Sequence, residues 1–169
     1  GGKNCNQTIP YTTDYFDGKK IKEFYFGRSN AAILTQEEKL YASKVKNSGD
    51  WSEPKYIDKA YFNHNNIKDI YFTEGVRSAI TQSGKLYVWG VLDGNITTSS
   101  PQLIAPSMFN DEKIESTSVG NSNFLAAITE TGKLYTWIYG KIENEAIPHM
   151  IQKSYFNNEK VKKSFSGTN

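Results

Sequence analysis

Residues 78–90 read Ser-Ala-Ile-Thr-Gln-Ser-Gly-Lys-Leu-Tyr-Val-Trp-Gly, and this stretch decides the fold. Residues 126–137 repeat it closely as Ala-Ala-Ile-Thr-Glu-Thr-Gly-Lys-Leu-Tyr-Thr-Trp. Residues 31–43 repeat it more loosely as Ala-Ala-Ile-Leu-Thr-Gln-Glu-Glu-Lys-Leu-Tyr-Ala-Ser. Three aligned threonines lie 46 and 48 residues apart: Thr35, Thr81 and Thr129. A fixed period of this length is typical of a repeat architecture.

Two further sets of landmarks keep the same period. Pairs ending in phenylalanine recur at intervals of 46, 47 and 47 residues: Tyr15-Phe16, Tyr61-Phe62, Met108-Phe109 and Tyr155-Phe156. Prolines recur at 44, 47 and 47 residues and mark the boundaries between units: Pro10, Pro54, Pro101 and Pro148. The chain therefore divides into units at 11–54, 55–101 and 102–148, an incomplete unit at 149–169, and the tail of a preceding unit at 1–10.

Each unit is predicted to contain a β-hairpin. In the second unit, β-branched and aromatic residues at 79–81 and 86–89 flank Gly84, which can adopt a positive φ. In the first unit Glu38 stands at that position. The turn there either changes type or holds a non-glycine residue at positive φ, at a cost of about 1–2 kcal/mol. Residues 67–72 predict a further strand, and residues 91–100 predict a loop with an outer edge strand.

The predicted fold is all-β, built from blades of a β-propeller. A period of about 47 residues with three or four short strands matches one blade. Helical solenoids share this period, but they need long runs with a 3.6-residue repeat, which the sequence lacks. A chain of 169 residues holds about 3.6 such units. Closed propellers have about 4–8 blades, so we expect an open arc from a longer propeller.

The repeat resembles a known family. The pattern Ala-Ile-Thr, two residues, Gly-Lys-Leu-Tyr, one residue and Trp follows alternating apolar residues that end at Phe26-Gly27 and Val119-Gly120. It is similar to the regulator of chromosome condensation repeat and covers nearly the whole chain. The resemblance implies blades of a propeller that is usually seven-bladed. It also implies a role as an exchange factor for Ran-type small GTPases, a ubiquitin-ligase adaptor, a bacterial effector or inhibitor, or an interaction scaffold.

Residues that recur at one position of the repeat are predicted to form its core, because stacked units place them in one environment. The predicted core residues are Phe26, Leu40, Tyr41, Phe72, Leu86, Tyr87, Trp89, Leu134, Tyr135 and Trp137. The first unit departs from the pattern, since Ser43 stands where the other two units have tryptophan.

Composition argues against several classes of function. The net charge is +2, and only Arg28 and Arg77 supply arginine, so nucleic-acid binding is not indicated. No run approaches the roughly 20 apolar residues of a membrane-spanning helix. Cys5 is the single cysteine, which rules out an internal disulfide and a cysteine metal cluster. A lone cysteine fits a reducing compartment, so we expect a cytoplasmic or nuclear protein, with a secreted effector as the alternative.

Candidate catalytic groups are few. His64 lies in a polar stretch and His149 follows a boundary proline, so both are predicted to be surface residues. Carboxylate pairs such as Glu37-Glu38 fall in turns, where solvated charge explains them. The sequence predicts no catalytic residue, no metal site and no cofactor.

The preferred function is therefore a non-enzymatic module that binds a protein partner through blade loops. Trp51 lies in a polar loop outside the repeating tryptophan position, so it is predicted either to contact a partner or to pack under its own loop. The predicted partner-binding residues are Lys46, Asp50, Trp51, Asp93, Asn95, Lys141 and Glu143. One alternative is a nucleotide-exchange factor or regulator of a small GTPase. Another is a structural subunit or fragment of a larger assembly or secreted effector.

Overall fold

The computed structural model describes residues 13–26, 30–45, 51–73, 75–92, 96–120, 123–140 and 147–163. Within these ranges the chain forms three antiparallel sheets of four strands, and the strands of each sheet follow chain order. Each sheet is one blade, because it holds one copy of the sequence repeat. The predicted all-β architecture of propeller blades is confirmed.

A short 3₁₀ helix precedes the strands of each blade. Blade 1 comprises η1 (Thr13–Phe16), β1 (Ile21–Phe26), β2 (Asn30–Thr35), β3 (Leu40–Lys44) and β4 (Lys55–Ile57). Blade 2 comprises η2 (Lys59–Phe62), β5 (Ile67–Phe72), β6 (Val76–Thr81), β7 (Leu86–Leu92) and β8 (Ile96–Leu103). Blade 3 comprises η3 (Pro106–Phe109), β9 (Ile114–Val119), β10 (Phe124–Thr129), β11 (Leu134–Ile138) and β12 (His149–Ile151), and η4 (Lys153–Phe156) follows it.

The fourth strands lie around the boundary prolines. β4 pairs with β3, with Ile57 opposite Leu40, and begins directly after Pro54. β12 pairs with β11, with Ile151 opposite Leu134, and begins directly after Pro148. The blades therefore end two or three residues beyond the boundaries at 54, 101 and 148. The outer edge strand expected within residues 91–100 is present as β8.

The aligned threonines explain why the hairpin recurs. Each is fully buried or nearly so, and its hydroxyl accepts a hydrogen bond from the backbone N–H four residues later, at 3.1–3.2 Å. The turn then needs one residue at positive φ, which is Gly84 at 79° and Gly132 at 81°. Glu38 takes this conformation in blade 1 at 63°, and Lys22 holds its carboxylate at 3.0 Å. Of the two alternatives for this turn, the structure shows a non-glycine residue held at positive φ.

The core lies between neighbouring blades. The first strands of successive blades lie against each other, so the blades converge on that side. One cluster joins Leu34 and Leu40 of blade 1 to Ile70 and Trp89 of blade 2. A second cluster joins the next pair of blades through Ile80, Leu86, Val88, Phe109, Leu125 and Trp137. Ser78 and Thr117 share a buried hydrogen bond across the second interface, at 3.1 Å.

Aromatic packing recurs with the repeat. Phe62 packs edge-to-face on Tyr87 and Trp89, with ring centroids 5.1 and 6.2 Å apart. Phe109 packs in the same way on Tyr135 and Trp137, at 5.1 and 6.0 Å. Such pairs add about 0.5–1.5 kcal/mol each beyond area burial. Blade 1 keeps only the phenylalanine and tyrosine, because Ser43 replaces the tryptophan and bonds the Ser52 carbonyl instead.

Seven of the predicted core residues expose 5% or less of their surface: Leu40, Tyr41, Leu86, Tyr87, Trp89, Tyr135 and Trp137. Leu134 is half-buried, and the side chain of Phe72 lies outside the described residues. Phe26 is a correction, because 69% of its surface is exposed. Its counterpart in blade 3, Val119, is covered by blade 2, whereas no described blade lies against this face of blade 1.

Candidate functional site

Most of the predicted partner-binding residues lie outside the described part of the chain. This applies to the loop residues Lys46, Asp50, Asp93, Asn95, Lys141 and Glu143. Their assignment as contact residues stays a prediction. Trp51 is described, and its environment is therefore the starting point for the site.

Trp51 is held at the end of the first blade. It forms an isolated antiparallel bridge with Val45, just beyond β3. The next residue fixes the chain further, since the Ser52 amide donates to the Lys44 carbonyl at 2.7 Å. The Ser52 hydroxyl in turn accepts from the Lys44 amide at 3.1 Å. The backbone that carries Trp51 is thus an extension of the sheet.

The ring of Trp51 is half-buried and contacts β1. It meets Phe26 edge-to-face, with centroids 6.5 Å apart and planes at 76°. Phe26 stacks on Phe24 at 5.8 Å with nearly parallel rings. The surfaces of Phe24 and Phe26 are 45% and 69% exposed. We call Phe24, Phe26 and Trp51 the aromatic surface.

The aromatic surface corresponds to a face that the other blades bury. The counterpart of Phe24 in blade 2 is Ile70, which is only 3% exposed because blade 1 covers it. The repeat pattern predicts a buried Phe26, because its counterparts recur at one position of each unit. It does not indicate Phe24 as a surface residue. The sequence does mark this blade as different at Ser43. The other two blades have tryptophan at that position, so blade 1 lacks one of the large side chains of this face.

Both histidines lie at the described surface, as the sequence predicts. His64 adopts a φ of 58° in the turn after η2, and His149 lies on the outer strand β12, both exposed. Among the residues that the structure describes, no group of three or more His, Cys, Asp or Glu is placed to hold a metal ion. No described helix has the length and apolar character to cross a membrane.

One carboxylate is held in a fixed environment by its neighbours. Glu112 accepts hydrogen bonds from Lys133 and Thr131, at the hairpin turn of blade 3. Burial raises the pKa of Glu112, but these hydrogen bonds outweigh burial and lower it to about 2. The carboxylate is therefore a structural anion at neutral pH and a poor general base.

Comparison with known proteins identifies the architecture. No protein-family model and no curated protein sequence matches the chain. Human WBSCR16 superposes with a TM-score of 0.64 at 19% identity, over 82% of this chain and 39% of its own. Prp20p from Saccharomyces cerevisiae superposes with a TM-score of 0.69 at 19% identity, over 88% of this chain and 42% of its own.

Prp20 is also the yeast RCC1 protein whose structure bound to Kap60 matches with a TM-score of 0.61 at 19% identity. The fold is that of regulator of chromosome condensation blades. The chain spans about two fifths of the length of the WBSCR16 and Prp20p structures. Its blades form a partial propeller of this type, as the repeat predicts.

Proposed function

We propose that the chain is a non-enzymatic protein-interaction module. The observation that carries this proposal is the aromatic surface. Monomeric proteins rarely expose large contiguous apolar patches. Clusters of aromatic side chains on the surface are typical of sites that bind another protein. Phe24 and Phe26 are exposed and stacked on each other, and Trp51 packs edge-to-face on Phe26.

The partner that fits this surface presents a sheet face of aliphatic side chains. Blade 1 offers such a face to blade 2 through Leu34 and Leu40, which pack on Ile70 of β5. A similar face would cover Phe24 and Phe26. Their counterparts are buried in the other blades, namely Ile70 for Phe24 and Val119 for Phe26. The occupant of the aromatic surface is thus a further blade or a protein that presents a similar sheet. A neighbouring subunit of a larger assembly could also present such a sheet.

Binding measurements with paired variants test the proposal. A partner is captured from the native source, purified and titrated by calorimetry. Phe26→Ala and Trp51→Ala should each raise its Kd at least about tenfold, because buried interface aromatics contribute about 2 kcal/mol. Tyr155→Ala is the matched control, since it removes another ring that is 78% exposed, at the far end of the described chain. A Kd unchanged within about twofold in both variants would contradict the proposal.

The charged loop residues require a separate test. Asp93 and the other loop residues lie outside the described part of the chain and are proposed as further partner contacts. Trp51→Ala combined with Asp93→Ala should weaken binding more than Trp51→Ala alone. If the double variant and the single variant bind equally, Asp93 makes no contact with that partner.

A second candidate is regulation of a small GTPase. Prp20p, with which the chain shares its fold at 19% identity, binds Gsp1p and histones. A release assay with a fluorescent guanine nucleotide and a panel of purified small GTPases tests this function. Acceleration at micromolar protein would support it, and unchanged release across the panel would leave the interaction module as the proposal.

A further inference from the structure

A groove lies between blades 1 and 2, and none of the aromatic residues of β1 lines it. Its volume is about 710 Å³, which is in the range of pockets that hold a small ligand. Lys44, Lys55 and Tyr56 line it from blade 1, and Tyr61, Arg77 and Trp89 line it from blade 2. Both blades therefore contribute charged and aromatic groups to one concave surface.

Arg77 is a partly buried cation, and no described carboxylate forms an ion pair with it. Its Nη2 donates to the side-chain oxygen of Asn30 at 2.9 Å. Its Nε is buried and has no hydrogen-bond partner. None of the ion pairs among the described residues includes Arg77. Burial lowers the pKa of its guanidinium, which reflects the cost of keeping a charge away from water.

A guanidinium that is partly buried and unpaired is unfavourable unless an external acceptor bonds its remaining N–H groups. A charge shielded from water is unfavourable when it lacks a partner, and an arginine presents a planar fork of N–H groups that matches a carboxylate. Asn30 satisfies one donor with a neutral amide oxygen, and no carboxylate of the described residues balances the positive charge. A carboxylate supplied from outside the blade pair would provide both the acceptor and the charge.

The rim of the groove favours an anion, and its walls favour a larger molecule. Lys44 and Lys55 are exposed at the rim, and Glu53 is the one carboxylate that also lines the groove among the described residues. Tyr56 and Tyr61 are 48% and 50% exposed, so their rings are available for contact. Exposed rings and a cation that line one groove fit a carboxylate that carries apolar neighbours.

We propose that this groove binds an aspartate or glutamate side chain of an extended segment in a protein partner, with Arg77 as the carboxylate receptor. Tyr56 and Tyr61 contact the residues on either side of the acidic one. The lysines at the rim attract the acidic segment and align it along the groove. This inference rests on the proposed interaction function and assigns it a second, chemically distinct contact.

NMR titration that follows the arginine Nε–H signals tests the proposal directly. The chain has only two arginines, Arg28 and Arg77, so the two Nε–H signals are readily assigned with an Arg28→Lys variant. The probes are acetyl-Phe-Glu-Phe-amide, its glutamine counterpart acetyl-Phe-Gln-Phe-amide, and sodium acetate. The glutamate peptide should shift the Arg77 signal and bind at least about tenfold more tightly than either of the other probes.

Three variants separate the roles of the groove residues. Arg77→Lys keeps the charge but loses the planar fork, so it should weaken the glutamate peptide about tenfold or more. Lys55→Gln, an exposed substitution that leaves the core intact, should weaken it about two- to threefold and reduce its salt dependence. Lys162→Gln is the control, because this exposed lysine lies at the other end of the described chain.

Three results of these titrations would overturn the proposal. No shift of the Arg77 signal at about 10 mM glutamate peptide overturns the proposal, as does equal binding of the two peptides. Acetate that binds as tightly as the peptide also overturns it, since the groove would then hold only a small anion. Trp51→Ala should leave peptide binding unchanged. Failure at Arg77 is thereby distinguishable from failure of the aromatic surface.

Discussion

Lys113 approaches Gly84 so closely that a Cβ atom on Gly84 would lie 2.4 Å from the Cβ of Lys113. The approach crosses from the hairpin turn of blade 2 to the residue just before β9 of blade 3. The Gly84 carbonyl accepts from the Ile114 amide at 2.9 Å, which fixes the same contact through the backbone. Gly132 repeats the arrangement, with its Cβ position 2.6 Å from that of Lys160. The turn glycine therefore joins one unit to the next.

Gly84→Ala should lower the free energy of unfolding by about 2–4 kcal/mol. The substitution combines strain at a φ of 79° with a clash against Lys113. Gly18→Ala is the matched control, since Gly18 has a φ of 71° but no atom within 4 Å of the added Cβ. It should cost only about 1 kcal/mol. Urea unfolding followed by circular dichroism measures both, and equal losses would contradict a role for the inter-blade contact.

Thr81→Val should destabilise the chain by about 1–2 kcal/mol. The Thr81 hydroxyl is completely buried and accepts from the Lys85 amide at 3.1 Å, so valine removes an acceptor while it preserves the shape. Thr81→Ser keeps the hydroxyl and should retain the hydrogen bond. Hydrogen exchange at the Lys85 amide should be faster in the valine variant and little changed in the serine variant. Unchanged exchange in both would show that the hydroxyl does not protect this amide.

The fold was predictable because the repeat places equivalent residues in equivalent surroundings. Thr81 acts within its own turn, and Tyr87 and Trp89 pack on Phe62 of the same unit. Local requirements of this kind leave a periodic signal in the sequence. The alignment of Glu38 with the turn glycines gave a positive φ as one of two alternatives, and the structure shows that one.

The candidate site was predictable only in part. Trp51 stood out because it breaks the repeat, but the exposure of Phe26 depends on whether a blade covers β1, which the repeat pattern does not encode. The groove at Arg77 arises from side chains of two neighbouring units, including Lys44 and Tyr61, that no spacing within one unit brings together. Sites between repeats thus need the three-dimensional arrangement of the blades.

Glu112 should make stability depend on pH in the acid range. The pKa of its carboxyl is lowered from 4.5 to about 2 in the folded chain, so the ionised form is stabilised by folding. This contribution is fully present above about pH 5 and is lost as the pH falls through about 2. Glu112→Gln removes it and leaves Lys133 without its partner.

Urea unfolding at several pH values tests this dependence. The difference in unfolding free energy between the original chain and Glu112→Gln should be largest at pH 7 and should shrink between about pH 4.5 and 2. Glu115→Gln is the control, because its ion pair with Lys68 is exposed and contributes little. A difference that stays constant over this range would contradict the lowered pKa.

Fluorescence quenching should distinguish Trp51 from the other two tryptophans. Trp89 and Trp137 are 2% and 3% exposed in the cores between blades, whereas Trp51 is half-buried beside the exposed Phe26. Iodide at constant ionic strength should therefore quench one component of the emission and spare the rest. Trp51→Phe should abolish the accessible component, and Trp137→Phe should leave it in place. If Trp51→Phe does not change the accessible component, the ring of Trp51 is covered in solution and the aromatic surface is not available to a partner.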